Sequence, residues 1–467
     1  IFEKHPDLDT LKSLIVLSAG GGSLKGVTSE GKEIEISGAN LGPAKNLLGN
    51  GDKKGIRTGS VVRVIESADG SNYRITQVPS VQASFVSMDP TYGAIHALIG
   101  GFDFGLSKFN HITQGYRQPG STIKPFIYSA AMEKNRMNPN SVVDDKPIKI
   151  GSWQPKHADG RYLGPIPLST ALASSRNMVS IRLLQSIGND YFRSYAERFG
   201  FEGKRIDKYL TVALGAIEAT PYQIVGAYGV FANGGYKVDP YFIKKVVDRS
   251  GTVILEAKPR LANDEKNRVI TKENAAMTDA LLKGVVRGGT ARAASALGRS
   301  DIAGKTGTTN DSVDAWFAGY QPKLVAVAWM GFDTGNKSLG EGEFGGGLAL
   351  PIWMDYMRMA LQGKKVEVRE TQWQNTTTNA GGDITRNPTD PSLTIDGQPA
   401  PPPEPEELNA DPNTVPLPNS DARKASETVN EADVKAASER KLEEIIAPVK
   451  PAAPTQPKPV QPVVAPN

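Results

Sequence analysis

The chain has 467 residues, and 54 Lys and Arg against 50 Asp and Glu leave a net charge of +4, too small an excess over this length to suggest a nucleic-acid binder. It contains no cysteine, which excludes disulfides, Cys-ligated zinc and a thiol nucleophile. No apolar run reaches about eighteen residues and no basic-then-apolar leader opens the chain, so a sequence starting at Ile1 reads as a fragment or processed form whose membrane anchor would lie upstream.

Residues 1–80 carry short β-like runs at 13–17, 33–36 and 60–65, separated by turns such as Gly20-Gly21-Gly22 and Asp69-Gly70. Short strands with tight turns predict a small antiparallel barrel or sheet. A larger unit begins near residue 81. Runs at 81–88 and 94–99 flank Asp89-Pro90-Thr91-Tyr92-Gly93, a hairpin signal with Pro at the second turn position and Gly closing it. Helical spacing of Ala, Leu, Ile and Met follows at 121–132, 168–186, 190–199 and 222–232. Strands resume at 302–309, 315–320 and 324–332, and 352–362 reads as a closing amphipathic helix.

This order predicts an α/β fold: one antiparallel sheet completed by sequence-distant strands, flanked by helices, with an all-helical lobe inserted between them. The expected division is 1–80, 81–365 and a proline-rich tail over 366–467 that buries too little apolar surface to offset its ordering entropy. Within that tail, 431–446 has helical spacing that a partner would be needed to fold.

Three short patterns can carry chemistry. In Gly120-Ser121-Thr122-Ile123-Lys124 a hydroxyl sits at a helix start with a lysine one turn on, on the same face. The positive end of the helix favours an alkoxide-like Oγ, and burial would lower the lysine pKa until a neutral amine serves as base. Taken alone, Ser121 is as readily an ordinary cap. Ser175-Arg176-Asn177 offers a hydroxyl to relay a proton and an amide to meet a substrate amide, or simply a helix edge satisfied by water. Lys305-Thr306-Gly307-Thr308 places a cation and hydroxyls on a strand, suited to a terminal carboxylate; Gly307 lets another backbone approach. A backbone N–H near Thr308 could join that of Ser121 as an oxyanion hole, each donor contributing about 3 kcal/mol. The three patterns occur in the order S-x-x-K, S-x-N, K-T-G, each on the element its role requires.

In this order, and in the stretches 81–101, 117–126, 164–177 and 213–235, the chain resembles the transpeptidase portion of class A, bifunctional penicillin-binding proteins over residues 81–362. The resemblance implies a serine-type D-Ala-D-Ala transpeptidase without cofactor or metal. Ser121 would be acylated, Lys124 would be its base and Ser175 would shuttle the proton. Asn177, Lys305, Thr306, Gly307 and Thr308 would hold the donor peptide, with Ser121 and Thr308 N–H groups as the oxyanion hole. Implied partners are peptidoglycan stem peptides, β-lactams and cell-wall synthesis proteins. The implied location is the periplasmic face of the inner membrane, with an upstream anchor and glycosyltransferase domain. Residues 1–80 fall where relatives carry an OB-like insert.

Rival readings are a D,D-carboxypeptidase, a serine β-lactamase and a penicillin-sensing receptor domain. Arg176 stands where the class A lactamases that share these patterns carry Asp, and Glu218 lacks the setting of a deacylating base. A histidine triad has only His5, His96, His111 and His157 to draw on, with His96 in a strand and the others in polar loops; all read as surface or hydrogen-bonded residues.

Overall fold

In the computed structural model of the protein, residues 1–49 and 55–367 are described. The segment 431–446, and the expected tail beyond its first two residues, lie outside them.

The first 76 residues build a five-stranded antiparallel sheet from β1 (Lys12–Gly20), β2 (Ser23–Thr28), β3 (Glu33–Ser37), β4 (Val61–Glu66) and β5 (Tyr73–Thr76), in the order β3-β2-β1-β4-β5. Its core is small: Leu14, Val16, Leu24, Ile36, Leu41, Val64 and Ile75 close over one face.

A second five-stranded antiparallel sheet takes strands from both ends of the remaining chain. β6 (Gln82–Met88) and β7 (Ile95–Ile99) form the hairpin, turned by Gly93 at φ +85°. Three strands from far downstream complete the order β12-β13-β14-β6-β7; they are β12 (Ala303–Thr308), β13 (Asp314–Gln321) and β14 (Leu324–Gly331). The seam is β14 on β6, pairing Val325 with Met88 and Ala328 with Phe85. This is the sheet of distant strands that the element order required.

Among the described residues, seven α-helices and two small ribbons occupy the interval and the stretch after β14. The helices are α1 (Lys124–Lys134), α2 (Leu168–Ala173), α3 (Asn177–Ile187), α4 (Asn189–Arg198), α5 (Pro221–Ala232), α6 (Lys272–Gly288) and α7 (Gly345–Ala360). The ribbons pair β8 (Val142–Asp144) with β9 (Pro165–Pro167), and β10 (Lys245–Val247) with β11 (Val253–Glu256).

Helices α5 and α7 cover opposite faces of the second sheet. Tyr356 of α7 meets Ser87 Oγ at 2.6 Å, and Trp353 Nε1 donates to the carbonyls of Gly319 and Ala326. One residue on, Met88 points the other way, into the space that Gly229 of α5 leaves by having no side chain. Phe126 of α1 ties the lobe together, ringed by Phe199, Phe201, Tyr228 and Phe231 at centroid distances of 5.0–5.5 Å.

Two boundaries differ from the sequence reading, and helix α6 and the two ribbons are additional to it. The helix expected over 168–186 breaks at Ser174–Arg176, where Ser175 takes φ +55°. The closing helix begins seven residues early, at Gly345, because tertiary packing overrides the poor helical propensity of Gly345-Gly346-Gly347 and tolerates Pro351. Helix α6 was not assigned, although Thr271 caps it by accepting from Asn274 N, and Leu281, Leu282 and Val285 line its buried face.

Candidate active site

The nucleophile segment is one turn of 3-10 helix, Gly120–Ile123, running straight into α1. Residues three apart eclipse one another in such a turn, which stacks Ser121 over Lys124. Glycine permits the turn to press against the edge strand β12. Gly120 has φ +52°, and a Cβ there would lie 2.6 Å from the Thr308 carbonyl oxygen. A Cβ on Gly307 would lie 2.5 Å from Pro119 O, one on Gly215 would overlap the Gly120 backbone, and one on Gly345 would overlap the carbonyl of Gly307. From β13, Trp316 Nε1 donates to Gln118 O at 2.9 Å and fixes the approach from behind.

Both lysines of the three patterns converge on Ser175. Lys124 Nζ lies 2.7 Å from Ser175 O, 2.7 Å from Asn177 Oδ1 and 3.3 Å from Ser175 Oγ. Lys305 Nζ donates to Ser175 Oγ at 2.9 Å and to Thr306 O at 3.0 Å. Neither lysine has exposed surface. Burial, then the nearby Lys305 and Arg176 charges, hold Lys124 well below the ordinary 10.5, against an opposing pull from Asp145. Burial alone pushes Lys305 down to about 7. A neutral Lys124 amine fills its two 2.7 Å contacts with its two N–H groups and keeps a lone pair. Among the described residues Ser121 Oγ makes no hydrogen bond, so its hydroxyl is uncommitted.

Strand alternation separates the third pattern into two faces. Lys305 and Gly307 face Ser175 and the nucleophile turn. Thr306 Oγ1 meets Thr290 Oγ1 at 2.6 Å, and Thr308 Oγ1 accepts from Gly345 N at 3.1 Å. Thr290 also donates its backbone N–H to Ala173 O, two residues before Ser175, and so links the second pattern to the third.

Sequence reasoning did not single out Thr290, Asp145 or the packing role of Gly215 and Gly345. Nothing local marks them, because their partners lie far along the chain. His96 is exposed on β7, whereas His111 and His157 are buried and hydrogen-bonded: His111 to Gly100 O and Asp333, His157 to the Asn177 N–H. Glu218 is paired with Arg205 and more than half exposed. No helix among the described residues is long and apolar enough to cross a membrane.

The family model for the penicillin binding protein transpeptidase domain matches residues 83–352. Penicillin-binding protein 1A of Neisseria cinerea is 45% identical over 382 residues, which cover 78% of this chain and 47% of that protein. The Pseudomonas aeruginosa penicillin-binding protein 1A is 37% identical over 413 residues, 76% of this chain and 50% of that one. The chain thus spans about half the length of the curated relatives it matches. Among solved structures, penicillin-binding protein 1A from Haemophilus influenzae superposes with a TM-score of 0.73 at 33% identity, covering 79% of this chain and 60% of that one. The PonA1 protein from Mycobacterium tuberculosis in complex with penicillin V gives 0.57 at 28% identity, over 64% of this chain and 82% of that one. With two buried lysines meeting one serine beside a glycine-lined turn, and with the family model spanning all of these residues, the chain belongs to the penicillin-binding protein transpeptidase family.

Proposed function

We propose that the protein is a serine D-Ala-D-Ala transpeptidase that cross-links peptidoglycan stem peptides through an acyl-enzyme on Ser121. The observation that carries this reading is the convergence of Lys124 and Lys305 on Ser175, with both amines buried and both held toward the neutral form.

The neutral Lys124 amine takes the Ser121 proton as Oγ attacks the carbonyl carbon of the penultimate D-Ala. The developing oxyanion is met by the backbone N–H groups of Ser121 and Thr308, whose segments the four glycines bring together. Ser175 passes a proton, resupplied by Lys124, to the departing D-Ala nitrogen, and the C–N bond breaks. An amine of a neighbouring strand then attacks the ester, its proton returns through Ser175 and Lys124, and Oγ leaves as the free hydroxyl. The arriving donor carboxylate raises the proton affinity of Lys305, which then supplies positive charge beside it, with Thr306 and Thr308 exchanging their present partners for the carboxylate, and Asn177 meets the donor amide. A β-lactam is the same kind of donor with its leaving amine tethered; the M. tuberculosis relative in complex with penicillin V supports carrying that over.

The placement at the periplasmic face of the inner membrane, alongside a glycosyltransferase domain, belongs to the same proposal. The test is intact-mass analysis after incubation with a penicillin. A persistent adduct of one ligand mass on the native protein, absent from Ser121→Ala, is expected; equal labelling of both would refute the assignment. Rapid turnover without a persistent adduct would favour a β-lactamase instead.

A further inference from the structure

The proposed reaction leaves unused a buried charged cluster behind the second pattern. Asp145 follows β8 directly and has no exposed surface, Arg176 is 3% exposed and His157 is 7% exposed. Arg176 donates Nε to Asp145 Oδ2 at 2.7 Å, Nη1 to Asp159 Oδ2 at 2.9 Å and Nη2 to the Arg161 carbonyl. Leu163 N–H adds a further bond to Asp145 Oδ2 at 3.2 Å.

Lys156 and His157 then grip Asn177 at two points. Asn177 Nδ2 donates to Lys156 O at 2.8 Å, and the Asn177 backbone N–H donates to His157 Nδ1 at 3.2 Å. An accepting Nδ1 puts the ring proton of a neutral imidazole on Nε2. Nε2 lies 3.0 Å from Asp145 Oδ1 but out of hydrogen-bond line, and neither atom has another partner among the described residues. The opposite end of the Asn177 amide, Oδ1, receives Lys124 at 2.7 Å. Between Arg176 and the end of α2, Ser175 is held at φ +55°, a conformation that persists only where neighbours impose it.

We infer that His157 is a positioning residue: in its neutral form it anchors Asn177, and through Asn177 fixes both the Lys124 amine and the strained Ser175 turn. This rests on Ser121 being the acyl acceptor. Among the described residues, Asn177 joins the cluster to Lys124 by hydrogen bonds, and its backbone anchor is an acceptor that a proton can remove. Protonation at Nδ1 would turn the acceptor into a donor facing an N–H, and Asn177 would lose its hold. The charged groups facing the ring are Asp145 after β8, Asp159 in its own loop, Arg176 before α3 and Lys124 on α1, with the Tyr162 ring at 5.0 Å. Burial, reinforced by Arg176 and Lys124 against the two aspartates, holds His157 below its ordinary 6.5, so the anchor is intact at neutral pH and is lost only as pH falls through that lowered pKa.

The experiment measures the rate of Ser121 acylation by a fluorescent penicillin, on the full chain, from about pH 5 to 8. It compares the native protein with His157→Leu and His157→Asn, and records thermal unfolding of each. Asn places a carbonyl oxygen close to the position of Nδ1 and does not titrate. Expected are a loss of about ten- to a hundredfold in His157→Leu at neutral pH, substantial recovery in His157→Asn, and a shallower acid-side fall in His157→Asn than in the native protein. If His157→Leu does not fold, the pH profile of His157→Asn decides alone. Native rates and an unmoved profile in the variants overturn the inference, as does equal slowing in both, since the acceptor would then not be what matters. Absence of any adduct on the native protein overturns the proposed function itself, which is a separate outcome.

Discussion

The two five-stranded sheets have similar strand lengths but bury their residues differently. In β1 of the first sheet Leu14 and Val16 are buried while Leu17 stands 42% exposed and Ser18 and Gly20 face solvent. In β13 of the second sheet every residue from Asp314 to Gln321 is buried. The first sheet is closed over one side, so its interior is a single small apolar cluster. The second is covered on both faces by helices, and there a cation such as Lys305 is stripped of water and its pKa pushed down to about 7. Two-sided covering is what allows a strand to carry chemistry rather than solubility.

That contrast predicts that substitutions around the second sheet change acylation and those in the first change stability alone. The largest effect is expected from Lys124→Ala: the rate of penicillin acylation should fall by about a hundred- to ten-thousandfold, read by fluorescence of the covalent adduct. Leu14→Ala, in the core of the first sheet, should destabilise by about 2–5 kcal/mol in denaturant unfolding and leave the acylation rate of the folded protein native. A change in that rate would break the comparison. Gly120→Ala combines a positive φ with a close approach to Thr308 O; it should cost about 2–4 kcal/mol of stability and slow acylation as well.

A pH prediction sharpens the same contrast. Folding lowers the Lys305 pKa to about 7 from 10.5. Between those values the unfolded chain holds a proton that the folded chain has lost, so stability rises with pH there. Above about pH 10 the buried tyrosines, raised by burial in the folded state, pull the other way. Unfolding free energies should therefore climb from pH 7 to about 10, by about 1 kcal/mol per unit for each shifted lysine, and Lys305→Met should flatten the climb. The smallest effect is expected from Lys25→Ala. Its 3.5 Å pairing with Glu35 crosses two strands of the first sheet with both side chains more than half exposed, and such pairs contribute about 0–1 kcal/mol.

The sequence alone determined the strands of the second sheet, three of those in the first, most helices and three short patterns on the right kinds of element. Period and turn chemistry are local, and Gly93, Gly120 and Gly307 each signal a backbone need at their own position. It could not show that Ser175 breaks a helix, since Leu168 to Ser186 reads as one continuous apolar spacing. Nor could it show that Thr290 meets Thr306, or that loop residues Asp145 and His157 are buried. Those facts depend on which distant segments pack together. The same holds for the lysine proton affinities: the patterns name Lys124 and Lys305, but only the packing of distant segments around them removes the water that would otherwise leave both amines at their ordinary pKa.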